Sequence, residues 1–111
     1  MPEYLLSASQ VQDLSFAALY HDLGKLTWLT NWHIKSRKNI SNQEWTKMQM
    51  HPIQSVNILE KLNKLIPGEA RRYILEHHER PGGKGYPYGI EPDFHSLILA
   101  AADVYSACTE I

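Results

Sequence analysis

The stretch Ala17-Ala18-Leu19-Tyr20-His21-Asp22-Leu23-Gly24-Lys25 decides how this chain is read. An apolar run ends there in a histidine and an aspartate side by side. Burying such a pair costs free energy unless a partner compensates it. A divalent metal does so, because imidazole nitrogen and carboxylate oxygen both ligate one. Taken alone, the pair also reads as a core histidine beside an aspartate that caps a neighbouring backbone.

Outward from this stretch the pattern is helical almost throughout. Val11, Leu14, Ala18 and His21 fall at helical spacing, which predicts His21 on the core face near a helix end. Ser9-Gln10-Val11-Gln12 has the capping-box form that opens such a helix. Gly24 is a candidate C-terminal stop. Residues 26–40, with Trp28 and Trp32, show no clear period and read as an irregular connection. Ser41-Asn42-Gln43-Glu44 is a second capping box, opening a helix to about Met50 with Trp45 and Met48 as its apolar positions. Pro52 predicts an extended His51 and a new helix start. Val56, Leu59 and Leu62, flanked by Ile53 and Ile58, give that helix a buried stripe, and Pro67-Gly68 breaks it. A further helix spans about Glu69 to Glu79, with Ala70, Ile74 and His77 on one face. Residues 80–92 hold four Gly and three Pro, too many for a regular element. The last helix starts near Asp93 and places Leu99, Ala100, Asp103 and Ala107 on one face. The expected class is all-α with one Gly/Pro-rich loop.

At 111 residues the chain fits one small domain, residues 1–111. A net charge of −1 gives no footprint for a nucleic acid polymer. The Lys35-Ser36-Arg37-Lys38 cluster reads as a solvated loop before an anion-binding patch. Cys108 is the single cysteine, so no disulfide forms within a monomer. It reads as a small buried residue near a helix end. No stretch reaches the ~20 apolar residues a membrane span needs, and no signal peptide is apparent. A soluble cytoplasmic protein is the expectation.

Candidate ligands recur further along. His51 precedes Pro52, and it also reads as a helix-boundary residue filling space. His77 and His78 are adjacent on one apolar helix, readable also as one buried and one surface imidazole. Asp103 lies among Leu99, Ala100, Ala101, Ala102 and Val104, where a carboxylate is disfavoured unless paired. Its alternative partner is a cation such as Arg71. Glu79 reads either as an orienter of a ligand imidazole or as a helix-end surface carboxylate. Lys25 can hold a phosphate oxygen as a point charge, or stand solvated at a helix end. The Gly82-Gly83-Lys84-Gly85-Tyr86-Pro87 loop can bring amides to an anion, or be a plain turn. It is not a P-loop. His33 and His95 are assigned no role, and the three Trp read as core anchors.

Together these pieces closely resemble the HD-GYP domain, a bacterial branch of the HD metal-dependent phosphohydrolases. The matching residues are His21-Asp22-Leu23-Gly24-Lys25, Glu44-Trp45, His51-Pro52, His77-His78-Glu79-Arg80, Gly83-Lys84-Gly85-Tyr86-Pro87 and Ala102-Asp103-Val104-Tyr105. The resemblance runs from about Leu14 to Thr109, with the motifs in the family's order. It implies two or three divalent metals, commonly iron or manganese, on His21, Asp22, His51, His77, His78 and Asp103. Asp22 and Lys25 become the catalytic pair, with Lys25 on a substrate phosphate. Gly83, Gly85, Tyr86 and Pro87 become substrate-handling residues. The implied reaction is hydrolysis of cyclic di-GMP, and the implied partners are a cyclic dinucleotide and a GGDEF-type signalling domain. The rival expectation is a weak or inactive module that binds cyclic dinucleotide or a partner domain.

Three departures shape these expectations. The family's first metal-binding histidine lies on an earlier helix, and no His precedes His21 here. The family usually has Asp or Asn where this loop has Gly82. The chain stops at Ile111, before an Arg-Pro-Tyr-Arg stretch and terminal helices. The resemblance therefore predicts an HD-type helical bundle lacking its first and its C-terminal helices. It further predicts an exposed apolar strip, self-association and low activity.

Overall fold

Ser7, rather than Ser9, starts the first helix. Its hydroxyl accepts the Gln10 N–H at 3.1 Å and the Gln10 side chain accepts the Ser7 N–H at 2.8 Å. The capping box therefore sits two residues earlier than Ser9–Gln12. Both quartets have the form, but the backbone is extended at Ser7 (φ −72°, ψ 165°), as a cap requires. The computed structural model describes residues 6–28, 37–62 and 65–109, and its regular elements there are all helical. The Trp32 and His33 positions, and residues 35 and 36 of the basic cluster, lie outside the described residues.

Helix α1 (Ala8–Tyr20) buries Ala17, with Leu14, Phe16 and Tyr20 packed beside it. Val11 is 48% exposed and Ala18 is exposed, so the buried stripe is turned by about one position from the expected one. A short 3-10 helix, Leu23–Thr27, follows the His21-Asp22 turn. Helix α2 (Asn42–Met48) carries the expected Ser41/Glu44 capping box and ends two residues short of Met50. Helix α3 (His51–Lys61) begins at His51, which is helical rather than extended. Pro52 sits in its first turn, where a missing N–H is harmless. Leu62 caps α3 and is 64% exposed, so the stripe closes at Leu59. Helix α4 (Ala70–Glu76) stops before His77, and helix α5 (Phe94–Thr109) ends the described chain.

Helix α4 is central, packing on α1, α3 and α5. The core is Ala17, Val56, Leu59, Ala70, Tyr73, Ile74 and Leu99. Leu59 and Ile74 are fully enclosed, and each such side chain contributes about 1.5–3 kcal/mol. A second cluster joins Ile40 and Met48 to half-buried Trp28 and Trp45. Beyond Ala100 the expected buried face of α5 opens: Ala101, Ala102, Ala107 and Cys108 are exposed, as are Val104 (52%) and Tyr105 (71%).

Two buried carboxylates shape the stretch between α4 and α5. Glu76 accepts the Asp93 N–H at 2.7 Å and the Ser96 hydroxyl at 3.0 Å. Asp93 in turn accepts the His95 N–H at 2.8 Å, as expected of a cap to α5. Glu79, fully enclosed, accepts N–H groups from Tyr88, Gly89 and Ile90 at 2.8, 3.0 and 3.2 Å. Both expectations for Glu79 are corrected: it neither orients an imidazole nor sits at the surface. Three backbone donors on its two oxygens offset the cost of burying this side chain.

Candidate metal centre

Helix ends converge on one point. His21 caps α1, His51 opens α3, His77 and His78 follow α4, and Asp103 lies midway along α5. His21 Nε2 is 3.1 Å from Asp103 Oδ1 and 3.3 Å from Asp22 Oδ2. Asp22 Oδ1 is 3.5 Å from His51 Nε2 and 3.9 Å from His77 Nε2. The His78 ring centroid lies 4.3 Å from that of His77 and 4.8 Å from that of His51. His21, Asp22, His51, His77, His78 and Asp103 thus form one cluster. Arg71 pairs with Glu60, which removes it as the partner of Asp103. Asp103 remains 30% exposed, less enclosed than its apolar neighbours in sequence suggested.

Three imidazoles are fixed in the same way. Nδ1 of His21, His51 and His77 meets the carbonyl oxygen three residues back, at Ala18 (2.7 Å), Met48 (3.0 Å) and Ile74 (2.6 Å). A carbonyl only accepts, so each Nδ1 carries a proton. Burial keeps the His51 and His77 rings neutral and turns their Nε2 lone pairs into the centre. His21 Nε2 instead faces the Asp103 and Asp22 carboxylates and carries a proton in the metal-free protein. His51 Nε2 and His77 Nε2 then face each other at 3.2 Å. Two lone pairs at that distance repel. Asp22 Oδ1 beside them is buried with no hydrogen-bond partner. A cation resolves both problems at once, so the donor set fits a divalent metal. His51, His77 and His78 offer one group of ligand atoms, and His21, Asp22 and His77 another, each within 4.8 Å.

Charge follows burial. Desolvation pushes both His77 and His78 down to about 3, keeping them neutral and ready to ligate. Desolvation also acts on His21, but Asp22, the Ala18 carbonyl and Asp103 overcome it and raise the ring to about 9. Burial opposes ionisation of Asp22 too, yet His21 and then Lys25 hold its carboxyl well below the usual range. In the metal-free protein His77 and His78 bind fewer protons than in the unfolded chain between about 3 and their ordinary 6.5. Stability should therefore fall as pH drops through that window, by up to about 1.4 kcal/mol per pH unit for each group. The His21 contribution has the opposite sign, being complete below 6.5 and lost as pH rises toward 9. Urea unfolding with chelator present is expected to show greatest stability near pH 6.5. A curve still rising at pH 9 would contradict this.

Two further residues hold the turn in place. Lys25 Nζ lies 3.3 Å from Asp22 Oδ2 and 5.4 Å from the Trp28 ring centroid. Ser55, fully buried in α3, accepts the Gly24 N–H at 2.7 Å and directs its hydroxyl at the carbonyls of His21 (2.8 Å) and His51 (2.9 Å). Ser55 went unremarked in the sequence. Its signal was a small hydroxyl four residues after His51 on an apolar stripe. Gly24, expected to stop a helix, instead lies inside the 3-10 turn, where a Cβ would strike the His51 backbone.

The loop reaches the centre through Tyr86, which stacks on His78 at 4.9 Å and 20°. Gly85 packs against the 78–80 backbone with no room for a Cβ. Gly83 faces the Gly89 carbonyl within the loop, and Pro87 is half-buried. His95 bonds Asp93 and takes no part in the centre.

A family model described as HD domain matches residues 3–110. A probable cyclic di-GMP phosphodiesterase of Vibrio cholerae is 32% identical over 93% of this chain and 25% of its own length. A 3'3'-cGAMP-specific phosphodiesterase 3 of the same organism is 35% identical over 82% of this chain and 20% of its own. A cyclic di-GMP phosphodiesterase of Thermotoga maritima is 32% identical over 87% of this chain and 27% of its own. The chain spans about a quarter of the length of these relatives. No helix among the described residues is long and apolar enough to cross a membrane. With the histidine-aspartate turn, the converging helix ends and the matched model in agreement, this chain belongs to the HD domain family.

Proposed function

We propose that residues 1–111 are a single HD domain of the HD-GYP type, serving as the catalytic unit of a metal-dependent cyclic di-GMP phosphodiesterase. The observation that carries this is the buried, partnerless Asp22 Oδ1 facing two Nε2 lone pairs, with Tyr86 of Gly85-Tyr86-Pro87 stacked on the neighbouring imidazole. The names of the relatives support a cyclic dinucleotide as substrate. His21, Asp22, His51, His77, His78 and Asp103 are the residues that would hold the metals, and iron or manganese suits this mixture of imidazole and carboxylate. When bound, such metals supply Lewis acidity at a phosphoryl oxygen.

Asp22 sets the charge of the centre, since both its oxygens face imidazoles or Lys25. Lys25 is placed to leave Asp22 for a substrate phosphate: its ammonium has donors and no lone pair for a metal. Gly83, Gly85, Tyr86 and Pro87 form the loop side of the substrate site in this reading. A GGDEF-type domain and a second copy of the chain are the macromolecular partners it implies, and a cytoplasmic location is part of the same reading.

The test joins metal analysis to a cyclic di-GMP hydrolysis assay. Lys25→Ala is expected to keep its metal and to lose turnover by about 100-fold or more, the scale for removing one charge-stabilising donor. Loss of metal in that variant would remove Lys25 from the substrate role. Metal bound without any hydrolysis by the unsubstituted chain would favour a binding module over an enzyme.

A further inference from the structure

His78 differs from the other three imidazoles of the centre. Those three are each locked by an Nδ1–H to a main-chain carbonyl. Among the described residues no hydrogen bond reaches the His78 ring, and its ring contacts are with His51, His77 and Tyr86. Of these, Tyr86 is the one near-parallel stack, at 20°. A histidine without a fixed ring plane spreads its lone pair over many directions and loses affinity for a metal.

The Tyr86 ring is itself held firmly. Its N–H donates to the His78 carbonyl at 3.1 Å, tying the stacked residues at the backbone. Gly85 before it lies flat on the 78–80 backbone, where a Cβ would come within 2.5 Å of Arg80 N and Glu79 Cα. The Glu79 carboxylate gathers the N–H groups of Tyr88, Gly89 and Ile90 just after it. The Trp45 ring meets Tyr86 edge-on at 5.7 Å, from the second apolar cluster. Backbone, loop and α2 thus converge on one aromatic plane, and that plane faces His78.

We propose that Tyr86 is the positioning residue of His78, its stacked ring doing for this imidazole what a main-chain carbonyl does for His21, His51 and His77. The loop then serves the centre from behind a ligand, through the ring and not through the phenol hydroxyl. This rests on reading His78 as a metal ligand.

The experiment uses the whole chain, freed of metal by chelation, with folding of each variant checked by circular dichroism. Mn²⁺ is titrated into the unsubstituted protein, Tyr86→Phe, Tyr86→Leu and His78→Ala. The imidazole resonances of the metal-free proteins are read by NMR. Tyr86→Phe keeps the stacked ring and is expected to bind Mn²⁺ with unchanged affinity. Tyr86→Leu is expected to bind about 10–100-fold more weakly, the scale for losing a group that orients a ligand. Its His78 resonances should move and broaden while those of His21 stay. Equal losses in Tyr86→Phe and Tyr86→Leu would place the effect on the hydroxyl and overturn the proposal. Unchanged affinity with an unmoved His78 signal in Tyr86→Leu would overturn it as well. Undiminished Mn²⁺ binding by His78→Ala overturns the ligand reading instead, and the metal-free spectra still decide whether Tyr86 fixes the ring. Should Tyr86→Leu fail to fold, the unsubstituted protein decides: a His78 ring averaging freely, with no close proton contacts to Tyr86, overturns the proposal.

Discussion

Replacing Asp22 by alanine should empty the centre of metal and abolish hydrolysis while leaving the helices in place. Asp22 lies within reach of three imidazoles and Lys25, at 3.3–3.9 Å. Without it, two Nε2 lone pairs face each other across 3.2 Å and Asp103, which pairs with His21, is the remaining carboxylate of the centre. Metal affinity should fall by more than the roughly 10–100-fold that follows loss of a merely orienting group. The Asp22 side chain is 38% exposed and belongs to no apolar cluster, so its removal leaves the core intact. His21 should titrate below its present value of about 9, because Asp22 is the largest influence raising it. Metal analysis, far-UV circular dichroism and the His21 titration by NMR together check this. Normal metal content in Asp22→Ala would break the assignment.

Gly24→Ala should damage the same centre by another route, through packing. An added Cβ would lie 2.8 Å from His51 C and 2.9 Å from His51 Cα, and closer still to the His51 carbonyl oxygen. These are backbone atoms at the start of α3, which no rotamer change can move aside. The 3-10 turn and α3 must separate, and the Gly24 N–H to Ser55 bond that joins them must lengthen. Overpacking of this kind costs about 1–3 kcal/mol or more. For a domain of this size that lowers the melting temperature by roughly 5–20 °C. Since His51 and Asp22 sit on the two elements forced apart, metal affinity should fall together with stability. Thermal melts with and without metal distinguish the two substitutions: Asp22→Ala loses the metal effect alone, and Gly24→Ala loses both. A Gly24→Ala protein that melts like the unsubstituted one would show that the turn and α3 have room to spare.

The candidate ligands were legible because burying imidazole and carboxylate beside Ala, Leu and Val is costly, so each stands out against its local sequence. The helical period was legible for the same reason in reverse, since a buried face repeats. Boundaries were less so. Ser7 and Ser9 both satisfy the capping pattern, and only the extended backbone at Ser7 separates them. His51 before Pro52 was expected extended, but α3 packs closely on the Leu23–Thr27 turn and draws His51 into its first turn. Leu62 looked like core by its spacing, yet among the described residues it is 64% exposed.

The amino-acid sequence by itself determined the all-helical class, the Ser41/Glu44 cap, the Gly/Pro-rich loop and, through motifs in a recognisable order, the six candidate residues of the centre. The first three follow from local chemistry: a repeating apolar face, hydrogen-bonding side chains at helix starts, and residues that cannot continue a helix. Tertiary structure alone decided how those six residues meet, because convergence of α1, α3, α4 and α5 on one point depends on packing between segments distant in sequence. It alone revealed the work of Gly24 and Ser55, which lies in a close approach between two backbones. It also reassigned Glu79 from the centre to the loop, since the three N–H groups that the carboxylate satisfies come together only when the chain turns back on itself.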